Sequence, residues 1–257
     1  MSIKYLLKNL FFPPRCSNCG ELLDIELTKR VTETLCLECR IQFENEKRRE
    51  CAYCGLEMRL CRCMPPNMEK SQCSALLKLI SYRSHDDSFP IKNFIYSVKR
   101  HDDEAYFNFV AEQLREGLIR EMRSQSLMPN DCIITYLPRA VKNKAEHGFD
   151  QGKSLAQSLA FMTGIEFVDC FERGVNVKEQ KNLNQYERRL NMRSAYKLRD
   201  VKDKIDNKTV ILVDDIVTTG SSMASCARIV FSYGAYNVIG VSIGLTEKEK
   251  NIYKNKR

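Results

Sequence analysis

Apolar residues along this chain occur in two alternating patterns. Short unbroken apolar runs near residues 75–82, 132–137, 209–213 and 238–243 predict strands that are buried on both faces. Between these runs, apolar residues recur at spacings of three and four, which predicts helices with one apolar face. Strands and helices that alternate in this way predict an α/β fold with a doubly wound, mostly parallel sheet and right-handed crossovers.

Four predicted helices account for most of the intervening chain. Their apolar faces comprise Ile91, Phe94, Ile95 and Val98; Phe107, Val110, Leu114 and Leu118; Leu155, Leu159 and Met162; and Met223, Ala227, Val230 and Phe231. Gly234 is expected to end the last helix, and the lysine-rich segment from Lys248 to Arg257 is expected to be a solvated tail.

Two acids and a hydroxyl-rich turn follow the third predicted strand. Asp214 and Asp215 come directly after Val213, and the turn consists of Thr218, Thr219, Gly220, Ser221 and Ser222. Backbone N–H groups and hydroxyls at a helix start can bind a phosphate without a lysine. Carboxylates beside it can accept hydrogen bonds from vicinal hydroxyls or hold a hydrated Mg²⁺. The combination predicts a ribose 5-phosphate site, whereas the alternative is an ordinary capped turn.

Basic residues follow the second predicted strand and recur in a later polar stretch. Arg139, Lys142 and Lys144 lie in a loop that leaves a strand end, where ligands bind in such folds. Arg188 and Arg189 lie in the stretch from residue 180 to residue 196. This stretch is either a solvated helix face or an arm that closes over a pyrophosphate.

Eight of the twelve cysteines are confined to the first quarter of the chain, at spacings typical of zinc ligands. Sequential pairing predicts one site from Cys16, Cys19, Cys36 and Cys39, and a second from Cys51, Cys54, Cys61 and Cys63. A crossed arrangement and a reduced thiol core remain open, and the one-residue spacing of the last pair makes the second site less regular. One or two structural Zn²⁺ ions are therefore expected. The remaining cysteines are expected in the core: Cys73, Cys132, Cys170 and Cys226.

The chain is expected to divide into a zinc-binding module, residues 1–70, and an α/β domain, residues 71–257, joined by a linker at 64–67. A net charge of +8 suits phosphate ligands or nucleic acid. The sequence has no apolar run long enough to insert into a membrane, and its apolar start predicts a packing helix rather than a signal peptide. A cytoplasmic location is expected.

The acids and the turn resemble the 5-phosphoribosyl-1-pyrophosphate (PRPP) signature of type I phosphoribosyltransferases. With the cysteine module, the whole chain resembles the ComF family of competence-associated, phosphoribosyltransferase-like proteins. Further similar segments include Leu10 to Pro13, Lys99, Leu137 to Gln151, and Glu187 to Asn191. His147 and Asp150 depart from the family pattern, which has arginine and asparagine there.

The resemblance implies that Asp214 and Asp215 hold the ribose hydroxyls and that the turn holds the 5-phosphate. Arg139, Lys142 and Lys144 would bind the pyrophosphate together with Mg²⁺, aided by Arg188 or Arg189.

The resemblance also implies a role in DNA uptake during natural transformation, with single-stranded DNA and a competence helicase as partners. Two alternatives stay open. One is a phosphoribosyltransferase of nucleotide salvage without a DNA role, and the other is a PRPP sensor that does not catalyse transfer.

Overall fold

The computed structural model describes residues 13–23, 34–83, 86–97, 104–139, 150–173 and 195–247. The helices are α1 Leu37–Arg48, α2 Pro66–Glu69, α3 Lys92–Ser97, α4 Glu104–Ser124, α5 Gln151–Thr163, α6 Lys202–Ile205 and α7 Ser221–Ser232. The strands are β1 Ala75–Tyr82, β2 Cys132–Tyr136, β3 Glu166–Phe167, β4 Phe171–Arg173, β5 Tyr196–Leu198, β6 Thr209–Val217 and β7 Asn237–Thr246.

Five strands form one parallel sheet in the order β1-β7-β6-β2-β3, and β4 and β5 form a two-stranded antiparallel sheet. After β2, the next strand of this sheet along the chain is β3, which lies on one side. After β6, the next strand is β7, which lies on the opposite side. The connections therefore diverge between β2 and β6, which makes this the switch point where ligands bind in open α/β sheets.

Both faces of the sheet are buried, which explains the unbroken apolar runs. Ile211 and Val213 of β6 belong to one core cluster with Leu114 of α4 and Leu155 of α5. Val210, Leu212 and the α7 residues Met223 and Ala227 belong to the cluster on the other face. The predicted doubly wound α/β fold is confirmed, and Cys73, Cys132, Cys170 and Cys226 are buried as expected.

The strand that carries the acids is longer than the sequence predicts. β6 continues past Val213, because Asp214 pairs with Ser242 and Ile216 pairs with Gly244 of the neighbouring strand β7. The two carboxyl groups therefore project from a paired, rigid strand rather than from a loop. The pairing of β4 with β5 was not predicted, and Tyr196, the last residue of the stretch left open as a helix face or an arm, lies in β5.

The expected linker is instead packed structure. Pro66–Glu69 forms the short helix α2, and the side chain of Met68 is fully buried. The division of the chain near residue 70 stays a prediction. The expected N-terminal helix, the end of the helix at Val98 and the C-terminal tail from Lys248 lie outside the described residues. Within the described part of the chain, every helix is too short or too polar to cross a membrane.

Candidate functional site

The candidate site lies at the carboxyl edge of the sheet, across the switch point between β2 and β6. Arg139 follows β2, and its guanidinium donates a hydrogen bond to the carboxylate of Asp215 on β6. Both side chains are mostly buried, with exposed fractions of 19% and 13%. The family resemblance assigns these two residues to different parts of PRPP, whereas in the structure they contact each other.

A second carboxylate fixes the backbone of Arg139. The Arg139 N–H donates to Oδ2 of Asp150 at 3.2 Å, and Asp150, which directly precedes α5, is only 6% exposed. The carboxylate that departs from the family pattern thus anchors the strand end that carries the arginine. His147, the other departure, lies outside the described residues, as do Lys142, Lys144, Arg188 and Arg189.

Asp214 is held in an environment that disfavours its charged form. Its Oδ1 accepts a hydrogen bond from the backbone N–H of Asp215 at 2.9 Å. Burial, followed by the neighbouring carboxylate of Asp215, raises the pKa of Asp214 well above its usual range. If this carboxyl ionises without a ligand, it destabilises the protein. Carboxyls with strongly shifted pKa values are common at functional sites.

The hydroxyl-rich turn follows β6 and leads into α7. Thr218, Thr219 and Ser222 are exposed, so their hydroxyls are accessible to a ligand. Gly220 has φ +69° and ψ +7°, a left-handed conformation that favours glycine. Since α7 begins at Ser221, its first backbone N–H groups have no intrahelical acceptors and point toward the turn. The turn can therefore receive an anion.

Three further residues around the site were not found from the sequence. The hydroxyl of Tyr196 accepts a hydrogen bond from Nη1 of Arg173 at 3.2 Å and also lies beside Ser222. Arg173 also donates a hydrogen bond to the Pro138 carbonyl at 3.3 Å. This bond links the β4–β5 pair to the residues that follow β2. Asn67 contacts the turn from α2. Tyr196 and Ala195 belong to a segment that resembles the ComF family, whereas Arg173 and Asn67 lie in no recognisable motif and Asn67 follows two prolines that indicate a linker.

The eight N-terminal cysteines form two groups of four, Cys16/Cys19/Cys36/Cys39 and Cys51/Cys54/Cys61/Cys63. This is the sequential grouping. Within each group the Sγ atoms lie within 4.8 Å of one another. The Cys19–Cys36 and Cys54–Cys61 distances are 3.7 and 3.6 Å. A tetrahedral Zn²⁺ with bonds of about 2.3 Å requires sulfurs about 3.8 Å apart, so both groups can hold such an ion.

The Cys-x-x-Cys-Gly segments that begin the two groups, residues 16–20 and 51–55, have matching backbone geometry. Gly20 and Gly55 have φ +80° and +72°, and each donates its N–H to the carbonyl of the first cysteine of its segment at 2.9 Å.

In the second group the thiols differ in acidity. Burial opposes ionisation of Cys51, but nearby backbone N–H groups lower its pKa to about 7, whereas burial raises the pKa of Cys63 to about 12. A bound cation would stabilise the thiolate form of all four cysteines.

Each cysteine group is attached to the α/β domain by a polar side chain. Asn18, in the first group, donates to the Pro90 carbonyl at 2.8 Å and accepts from the Phe94 N–H at 3.0 Å. Lys78 of β1 is buried, and its ammonium donates to the carbonyl of Cys63 at 2.8 Å and to Sγ of Cys61 at 3.3 Å. These hydrogen bonds attach the cysteine groups to Pro90 and α3, and to strand β1 of the sheet.

Comparisons of sequence agree with the resemblance to the ComF family. Competence protein F of Haemophilus influenzae is 23% identical over 236 residues, which cover 89% of this chain and 95% of that protein. DNA utilization protein YhgH of Salmonella typhimurium is 28% identical over 130 residues, which cover 50% of this chain and 56% of that protein. No family model matches the chain. The predicted resemblance is confirmed by these relatives.

Among solved structures, a purine phosphoribosyltransferase from Pyrococcus horikoshii is similar to this chain. It has a TM-score of 0.29 and 17% sequence identity, and the match covers 55% of this chain and 86% of that one.

The raised pKa of the partly buried Asp214 predicts an effect on stability that depends on pH. Its folded pKa lies above the unfolded value of about 4. The stability that this carboxyl contributes is therefore fully present below the unfolded pKa and is lost as pH rises through the folded pKa. We expect Asp214→Asn to raise the melting temperature, by an amount that increases with pH between pH 5 and pH 8.

Thermal unfolding across this pH range measures the difference. Asp215→Asn is the matched control, because it removes the charge partner of Arg139 and is expected to destabilise by about 1–3 kcal/mol. A melting temperature of Asp214→Asn that stays below that of the wild type at every pH would contradict the assignment.

Proposed function

We propose that this ComF-like chain binds PRPP at the carboxyl edge of its sheet and takes part in the handling of DNA. One observation carries the proposal. The β6 strand presents two carboxylates, one of them in contact with an arginine from across the switch point, and leads directly into an exposed anion-receptive turn. A diol-binding group next to a phosphate-binding group matches the two ends of a ribose 5-phosphate.

The ribose phosphate would be held by groups from a single stretch of chain. Asp214 and Asp215 would accept hydrogen bonds from the 2- and 3-hydroxyls, which requires both carboxyl groups to be ionised. Binding of the diol therefore offsets the cost of ionising Asp214 in its buried position. The 5-phosphate would be bound by the turn, namely by the hydroxyls and backbone N–H groups of Thr218, Thr219, Gly220, Ser221 and Ser222.

Arg139 supplies the cation that the pyrophosphate needs. The guanidinium of Arg139 is paired with Asp215, so PRPP binding would exchange this carboxylate for phosphate oxygens. The exchange frees Asp215 for the ribose. Lys142, Lys144, Arg188 and Arg189 would add positive charge around the pyrophosphate. Mg²⁺ would accompany PRPP and neutralise part of its charge, and the two aspartates offer oxygen ligands of the kind it prefers.

The arrangement supports phosphoribosyl transfer without a catalytic nucleophile on the protein. An acceptor atom would form a bond to C1 of the ribose while the C1–O bond to pyrophosphate breaks, and pyrophosphate leaves with the electron pair. The positive charge of Arg139 would stabilise that leaving group electrostatically. A PRPP sensor would use the same contacts without turnover, so release of pyrophosphate on adding candidate bases separates these two functions.

PRPP binding tests the site directly. We expect wild-type protein to bind PRPP with Mg²⁺ in calorimetry, and Asp215→Asn to bind about 10- to 100-fold more weakly, because hydrogen bonds to a charged group are lost. Asp203→Asn, which changes an exposed carboxylate on α6, is the matched control and should bind as the wild type does. Equal affinities of wild type and Asp215→Asn would refute the assignment of the ribose.

The two cysteine groups are proposed as structural zinc sites. Each has four protein sulfurs at tetrahedral spacing, which leaves no ligand position for catalysis. Elemental analysis of the purified protein is expected to give two zinc ions per chain. Cys19→Ser and Cys54→Ser change exposed ligands of the first and second groups, and each should lower the zinc content by about one. Full zinc content in both variants would contradict the proposal.

The proposed DNA role rests on the relatives, whose names are Competence protein F and DNA utilization protein YhgH. Single-stranded DNA and a competence helicase are the proposed partners, and a cytoplasmic location stays a prediction. We expect single-stranded DNA to bind with an affinity that falls steeply as salt rises, because phosphate contacts release counterions.

A double variant, Arg188→Ala with Arg189→Ala, tests the DNA role. It should weaken DNA binding about 10-fold and reduce the salt dependence. DNA binding that is insensitive both to salt and to this change would count against the role. It would favour a salvage enzyme without DNA contacts.

A further inference from the structure

A segment of six residues, 64–69, connects the second cysteine group to the hydroxyl-rich turn. We call it the strap. It begins one residue after Cys63 and includes α2, and the ideal Cβ position at Gly220 would lie 2.8 Å from Cγ of Met68 in the strap. The strap therefore lies against the turn so closely that glycine is required there.

Asn67 is the residue of the strap that bonds to the turn. Its side-chain amide donates one hydrogen bond to the carbonyl of Thr219 at 3.0 Å and one to Oγ of Ser221 at 2.9 Å. Both amide hydrogens are thus used, since a carboxamide nitrogen carries two. The two bonds hold both ends of the left-handed bend at Gly220.

These bonds also orient a hydroxyl. Oγ of Ser221 accepts from Asn67 and also from Oγ1 of Thr219 at 3.0 Å. A hydroxyl oxygen has two acceptor positions and one hydrogen to donate. Because both acceptor positions are taken, the Ser221 hydroxyl is left as a donor, which is the state that a phosphate oxygen requires.

The strap itself is fixed on both sides of Asn67. The Met68 side chain is fully buried between the turn and Gly240 of β7. The Asn67 carbonyl accepts from the Ser71 hydroxyl at 2.9 Å, and Ser71 accepts from Arg228 of α7 at 2.7 Å. Toward the cysteine group, the Cys63 carbonyl is bound by Lys78. An exposed asparagine is therefore held in one place by buried neighbours.

We propose that Asn67 is a positioning residue for the 5-phosphate, which acts by setting the bend and the hydroxyl direction of the turn. This inference rests on the proposed PRPP site and extends it to a residue outside the β6–α7 motif. It also explains how the cysteine-rich part of the chain contributes to ligand binding, since the strap is continuous with Cys63.

Two variants of Asn67 separate hydrogen bonding from shape. Asn67→Ala removes both donors, and Asn67→Asp keeps the shape but replaces the donors with a carboxylate. We expect both variants to bind PRPP and ribose 5-phosphate about 5- to 20-fold more weakly, because each loses the two bonds that order the turn. Glu69→Gln, an exposed change in the same helix, is the matched control and should not weaken binding.

Further measurements exclude a merely structural role. Asn67 is exposed, so the melting temperature should stay close to that of the wild type in both variants, and the affinity for pyrophosphate alone should not change. Asn67→Ala combined with Ser221→Ala should weaken binding by less than the product of the single effects, because the first change acts partly through Ser221.

The outcomes distinguish this inference from the function on which it rests. If wild-type protein binds neither PRPP nor ribose 5-phosphate, the proposed site and the role of Asn67 both fail. If the wild type binds both ligands and the two Asn67 variants bind equally well, the site stands and the positioning role is refuted. Weakening by Asn67→Asp alone would also refute it, since charge rather than lost donors would then be the cause.

Discussion

The candidate site depends on the pairing of one partly buried arginine with one of two adjacent, partly buried carboxylates. Asp214 and Asp215 are consecutive residues near the end of β6, where Asp214 pairs with Ser242 of β7, so the strand backbone fixes the positions from which both carboxyl groups project. Two like charges in such a position repel each other, and burial adds a desolvation cost. Arg139 stabilises the negative charge of Asp215. The desolvation and repulsion remain unfavourable for ionised Asp214, whose pKa is therefore raised. A ligand that brings hydroxyl donors and its own negative charge can replace these contacts.

The fold explains why these groups meet. Parallel strands present their carboxyl ends at one edge, and the chain connections diverge between β2 and β6, so the loops after these strands enclose a crevice. Arg139 and the acidic pair come from the two sides of that crevice, 76 residues apart in the sequence. The same extension of β6 that holds the acids rigid delivers the turn directly to the start of α7. Rigid presentation of this kind lowers the ordering cost of binding.

Much of this could be predicted from the sequence, since alternation of apolar runs with helical spacings is a direct consequence of a sheet covered on both faces. The acids, the turn and the cysteine spacing are local patterns, and the structure shows each as a local unit. The pairing of Arg139 with Asp215 could not be predicted, because it depends on strand order. Asn67 was missed for a related reason. Prolines near residue 65 indicate a linker, and only tertiary packing of Met68 shows that this segment covers the turn.

The central claim is that the acidic pair and the turn bind the two ends of one sugar phosphate. A crystal structure of the protein with ribose 5-phosphate measures this most directly. The account predicts the phosphate within hydrogen-bond distance of the Ser221 hydroxyl and of the first N–H groups of α7. It also predicts the 2- and 3-hydroxyls on Asp214 and Asp215, with Arg139 displaced from Asp215. A phosphate bound elsewhere, or a ribose whose hydroxyls do not reach either carboxylate, would contradict it.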